Sequence, residues 1–102
     1  MISVVDYGRG NLYSIGRALN IIGRDYIITA DPEVIAKSSQ VLLPGVGAFG
    51  DAMSLIHQRG IGEALHESQN SGHRILGICL GMQLLATKSY EFGEHMGLDF
   101  IP

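Results

Sequence analysis

A chain of 102 residues, 46% hydrophobic and 17% charged, has room for one hydrophobic core at most. Seven Lys and Arg against ten Asp and Glu leave a formal charge of −3 without any basic cluster, which removes the electrostatic footprint of a phosphate-backbone binder. No apolar run nears the roughly 18 residues of a membrane span, and Met1 to Asp6 lacks the basic flank and cleavage site of a secretory leader, so a cytoplasmic location is expected.

The apolar run Ile2 to Asp6 is too short for a helix and ends in a polar residue and glycines, as a buried parallel strand should. Gly8-Arg9-Gly10-Asn11 turns the chain. Leu12, Ile15, Leu19 and Ile22 then recur at helical spacing, with Gly23 placed for a left-handed C-terminal cap. Tyr26 to Thr29 reads as a second strand. Asp31-Pro32-Glu33 starts a short helix to about Lys37, because Asp caps free N–H groups and proline suits the first helical position. Gln40 to Leu43 is a third strand, stopped by Pro44-Gly45-Val46-Gly47. Phe49, Met53 and Ile56, then Ile61, Ala64 and Leu65, carry a helical stripe broken at Gly60 and ended by Gly72. Arg74 to Ile78 is a fourth strand that runs directly into a helical pattern beyond Cys79. Tyr90 to Pro102 is irregular, with a further strand expected at Leu98 to Ile101. Strands alternating with helices predict an α/β fold: a parallel sheet with helices on both faces.

One cysteine can form neither an internal disulfide nor a multi-Cys metal cage, so Cys79 is either buried packing or chemistry. Gly77-Ile78-Cys79-Leu80-Gly81 has the spacing of a nucleophile elbow, with small residues two before and two after the nucleophile so that a sharp turn can pack. Such a turn lifts the thiol out of the sheet edge and aims the first N–H groups of the next helix at a substrate. Pro44-Gly45-Val46-Gly47 ends another strand of the same parallel sheet, so both loops open at one edge, where backbone N–H groups can form an oxyanion hole. Taken alone that loop is simply a turn. Gly8-Arg9-Gly10 invites a dinucleotide-binding reading, but Tyr13 stands where the third glycine belongs. His57, His66, His73 and His95 show no metal-ligand spacing, and none stands out as a base for Cys79.

These residues resemble the class I glutamine amidotransferases, enzymes with a Cys-His-Glu triad, over the whole chain. The elbow Gly77 to Leu85 is shared across that family. Asp6-Tyr7-Gly8-Arg9-Gly10-Asn11-Leu12 and Leu43-Pro44-Gly45-Val46-Gly47-Ala48-Phe49-Gly50 are most similar to glutaminase subunits that feed ammonia to a (βα)8 cyclase in histidine biosynthesis. The resemblance implies a flavodoxin-like fold and a Cys79 that attacks the carboxamide of glutamine. It implies an oxyanion hole from the backbone of Val46, Gly47 and Leu80, and a glutamine pocket shaped by Gly45, Gly47 and Gln83. It also implies a heterodimer with the cyclase through the loop at Gly10 and Asn11, without cofactor or metal. The family's His and Glu lie well downstream of the elbow, separated by one residue, and no such segment occurs before Pro102. Residues 1–102 are therefore expected to be the N-terminal half of a single amidotransferase domain, incomplete at the C-terminus and inactive alone.

Two other readings remain open at this point. A similar subunit supplies ammonia to other syntheses, such as sugar amidination for surface polysaccharides. A non-catalytic flavodoxin-like interaction module would use Cys79 only as packing.

Overall fold

A computed structural model describes residues 1–102. Four strands, β1 (Ile2–Val5), β2 (Tyr26–Thr29), β3 (Gln40–Leu43) and β4 (Arg74–Gly77), form one parallel sheet in the order β2-β1-β3-β4. Ile2 stands beside Tyr26 on one side and Gln40 on the other, and Leu43 beside Gly77, so the C-terminal ends of β3 and β4 finish level. That level edge carries the loops discussed below.

The helices are α1 (Leu12–Ile21), α2 (Pro32–Lys37), α3 (Phe49–Gln58), α4 (Ile61–Asn70) and α5 (Leu80–Leu84). Their ends follow the local chemistry. Asp31 accepts from the Glu33 N–H and Pro32 occupies the first turn of α2. Gly60, at φ 70°, separates α3 from α4, and Gly23, at φ 73°, follows α1 in the left-handed conformation expected of it.

The two-residue period of the strands sorts side chains to two faces. Val5, Val41 and Leu43 pack with Ile35, Phe49, Ile56, Ile61, Leu65 and Leu84 in the main core, which α2 to α5 cover. Ile2, Val4 and Leu42 pack with Leu19 of α1 on the other face. Helices thus lie on both faces, as the alternation predicted. The α1 side is the thinner one: an apolar groove of about 530 Å³ remains beside α1, lined in part by Ile15, Leu42, Leu76 and Ile78, and Leu76 is 59% exposed.

Three expectations need correction. Ile22 continues the helical spacing of Leu12, Ile15 and Leu19, which predicts a place on the sheet-facing stripe of α1, but it sits at the C-cap and is exposed. β4 stops at Gly77: Ile78 N–H still makes the last ladder bond, to Leu43 O, but its carbonyl accepts from Gly81 N–H as the chain turns. No strand forms over Leu98 to Ile101. Asp99 takes φ 62°, which breaks an extended run, and only an isolated bridge joins Ile101 to Ala86. Instead a small antiparallel hairpin pairs β5 (Lys88–Ser89) with β6 (His95–Met96).

Candidate active site

Between β4 and α5 only Ile78 and Cys79 turn the chain. Cys79 does so at φ 55° and ψ −124°, a backbone that L side chains rarely adopt. Strain of this kind costs on the order of 1–3 kcal/mol and persists where the surroundings over-determine it. Two glycines do so here. A Cβ on Gly77 would stand 2.6 Å from Met82 Cα, and one on Gly81 would stand 2.7 Å from the carbonyl carbon of Leu43. The elbow spacing therefore has a steric cause on both sides of the cysteine. The thiol itself is exposed, which removes the reading of Cys79 as buried packing.

The loop after β3 lies directly against this turn. Leu80 N–H donates to Gly45 O at 3.3 Å. A Cβ on Gly45 would meet Gly81 N at 2.9 Å and Leu80 Cβ at 3.0 Å, so only glycine lets the two loops approach this closely. Val46 is 53% exposed, Gly47 takes φ 100°, and neither N–H donates to a backbone carbonyl. The expected donors thus divide: the Val46 and Gly47 N–H groups have no backbone acceptor, whereas the Leu80 donor is engaged by Gly45 O. Gln83 is exposed on α5, four residues beyond Cys79. Because α5 has only five residues it carries no long aligned dipole, and its first N–H groups are engaged: Gly81 donates to Ile78 O and Met82 to Cys79 O, as Leu80 does to Gly45 O.

The loop after β1 completes the edge. A Cβ on Gly10 would touch the Pro44 ring at 3.2 Å, which places Gly8 to Asn11 beside the β3 loop. Asn11 is exposed and caps α1, its Oδ1 accepting from Ser14 N–H at 3.2 Å. The histidines lie elsewhere. His57 and His66 are on exposed helical faces, His73 pairs with Ser68 before β4 begins, and His95 packs on Gly50.

Two residues at this edge escaped the reading of the sequence. Tyr7 is 1% exposed, and its hydroxyl donates to Pro44 O at 2.7 Å. Burial pushes the phenol up to about 12, with the Arg9 charge acting in the opposite sense. Its signal was available, since a large aromatic follows the strand end at Asp6. Glu91 left no local signal. Its carboxylate accepts from Phe49 N–H at 3.0 Å, capping α3 from 42 residues away where Ala48 has no side chain to do so.

Comparison with known proteins bears on this edge. The family model "Glutamine amidotransferase class-I" matches residues 3–96. The chain is 52% identical over 101 residues to the imidazole glycerol phosphate synthase subunit HisH of Sulfurimonas denitrificans, covering 99% of this chain and 49% of that protein. It is 51% identical over 102 residues to the HisH subunit of Carboxydothermus hydrogenoformans, covering 100% of this chain and 51% of that protein. The Wolinella succinogenes HisH subunit is 50% identical over 101 residues, 99% of this chain and 49% of that protein. The chain thus spans about half the length of the curated relatives it matches. An exposed cysteine on a glycine-walled elbow, a glycine loop against it and a family match over nearly every residue agree: the chain belongs to the class I glutamine amidotransferases.

Proposed function

We propose that this chain carries the nucleophile and oxyanion loop of a glutaminase subunit of imidazole glycerol phosphate synthase, as the N-terminal half of one amidotransferase domain. The strained, exposed Cys79 beside the Gly45 to Gly47 loop is the observation that carries this reading. Three relatives of that name at 50 to 52% identity support the pathway. The open groove beside α1 supports the domain assignment, since apolar surface of that size is usually covered.

In this reading the Cys79 thiolate attacks the side-chain carbonyl carbon of glutamine. A C–S bond forms and the carbonyl oxygen takes the negative charge. Collapse breaks the C–N bond, the nitrogen leaves as ammonia after gaining a proton, and water then cleaves the glutamyl thioester to glutamate and restores the thiol. The N–H groups of Val46, Gly47 and Leu80 supply the oxyanion hole, those of Val46 and Leu80 becoming available together when the Gly45–Val46 peptide turns and Gly45 O gives up its 3.3 Å bond to Leu80 N–H. Gly45, Gly47 and Gln83 line the glutamine side of the elbow. The proton is handled by the His and Glu that the family carries beyond the elbow. The Gly10 and Asn11 loop, packed on Pro44 at the same edge, faces a (βα)8 cyclase that receives the ammonia.

The test uses the full-length subunit with its cyclase. Cys79→Ala is expected to abolish glutamine-dependent synthesis while synthesis from added ammonia continues, because only ammonia supply is lost. Loss of both activities would overturn the division of labour, and retained glutamine hydrolysis would overturn the assignment of the nucleophile.

A further inference from the structure

The β3 loop must present N–H groups to an oxyanion, yet it consists of residues with little to hold them: two glycines and a half-exposed valine after one proline. Something has to fix where it starts. Pro44 O accepts a 2.7 Å hydrogen bond from the Tyr7 hydroxyl, which arrives from the end of the neighbouring strand β1. A peptide group is planar, so holding the Pro44 carbonyl also holds the direction of the Gly45 N–H. The next peptide is held from the other side, by Leu80 N–H on Gly45 O. Gly45 is thereby clamped between the phenol and the start of α5: a Cβ there would overlap the Tyr7 hydroxyl and also crowd Gly81 N. The ring is buried within the main core, so the hydroxyl is delivered by a rigid support rather than by a surface side chain.

We infer that Tyr7 is a positioning residue for the oxyanion loop: its hydroxyl sets the plane of the Pro44–Gly45 peptide, so that turning is confined to the peptides beyond Gly45. The inference rests on the glutaminase reading above. A buried phenol whose ring fills the core also has a structural role, so the test must separate loop geometry from packing. Loop geometry matters most when charge develops on the substrate oxygen, and its loss therefore falls on kcat rather than on KM.

The experiment compares Tyr7→Phe and Tyr7→Leu in the full-length subunit with its cyclase, measuring glutamate release per site labelled by a glutamine-mimicking electrophile. That normalisation counts folded sites only. Tyr7→Phe is expected to lower kcat about tenfold with KM within about twofold of the parent, the rate equivalent of one lost hydrogen bond. Tyr7→Leu, which also removes the ring, is expected to lose the same kcat while its Tm falls further. An active parent with an unchanged kcat in Tyr7→Phe would overturn the inference, as would a raised KM at constant kcat. A kcat that tracks Tm across both variants would do so too, by reducing Tyr7 to packing. A parent that does not hydrolyse glutamine at all is a different result: it removes the glutaminase reading itself.

Discussion

A Cβ on Gly81 would fall onto the carbonyl oxygen of Leu43, and the carbonyl carbon would be only 2.7 Å away. Strand β3 and the start of α5 are thus in direct backbone contact at the point where the chain has just turned through Cys79. Neither side has a flexible side chain that can yield.

Gly81→Ala is therefore expected to destabilise the protein by about 3 kcal/mol or more, at the upper end for overpacking. Gly62→Ala provides the contrast. In the first turn of α4 a Cβ meets only side-chain atoms, His57 Nδ1 at 3.4 Å and Ile56 Cγ2 at 3.6 Å, at ordinary contact distance. That change is expected to stabilise by about 0.5–1 kcal/mol, since glycine loses more backbone freedom on folding than alanine does. Urea unfolding of both variants checks the pair; equal effects would mean that the elbow yields where the structure shows it rigid.

The cysteine itself holds strain that stability does not require. At φ 55° both Cys and Ala are unfavourable, whereas Gly is not. Cys79→Gly is expected to be about 1 kcal/mol more stable than Cys79→Ala and, on the proposed function, both are expected to lack glutamine hydrolysis in the full-length subunit. Two variants of equal stability would place the strain elsewhere.

Glu91 joins the hairpin of β5 and β6 to the helix that follows the Gly45 to Gly47 loop. Its bond to Phe49 N–H does the work of an N-cap that Ala48 cannot do. Glu91→Ala is expected to cost about 1 kcal/mol, the usual value for a lost cap, with faster amide exchange at Phe49 and Gly50. Unchanged exchange there would show that water replaces the carboxylate without loss.

What the sequence made legible at this site was what glycine and proline must do locally. Gly77 and Gly81 flank Cys79 because no Cβ fits, and Asp31-Pro32 starts α2 because capping and φ agree over three residues. Long-range contacts carry no such local mark. Glu91 reaches Phe49 across 42 residues, and β5 pairs two residues with two, Lys88–Ser89 with His95–Met96, without any apolar alternation. The expected strand over Leu98 to Ile101 had the right apolar residues. It fails because Asp99 turns to φ 62° while the N–H groups of Leu98 and Phe100 bond to Leu84 and Leu85 at the end of α5. Tyr7 lies between these cases: its apolar ring was visible beside β1, but its hydroxyl partner, 37 residues away, was not.

That hydroxyl gives the protein an alkaline signature. Burial raises Tyr7 to about 12 from the ordinary phenol value of 10.0, Arg9 only partly opposing it. In the unfolded chain the phenol loses its proton near pH 10, whereas in the native state it keeps the proton to about 12. Above pH 10 the unfolded state therefore binds fewer protons than the native one, and stability falls as pH rises. The Tyr7 contribution is fully present below pH 10 and has been lost progressively by about pH 12. Tyr7→Phe has no such group to titrate. The difference in urea midpoint between the parent and Tyr7→Phe is expected to be constant from pH 8 to about pH 10 and to shift against the parent from there to about 12, while the other titrating groups cancel between the two proteins. Parallel curves over that window would mean that the phenol titrates in the native protein as it does in water, and that the buried hydroxyl on Pro44 O is not held as the structure places it.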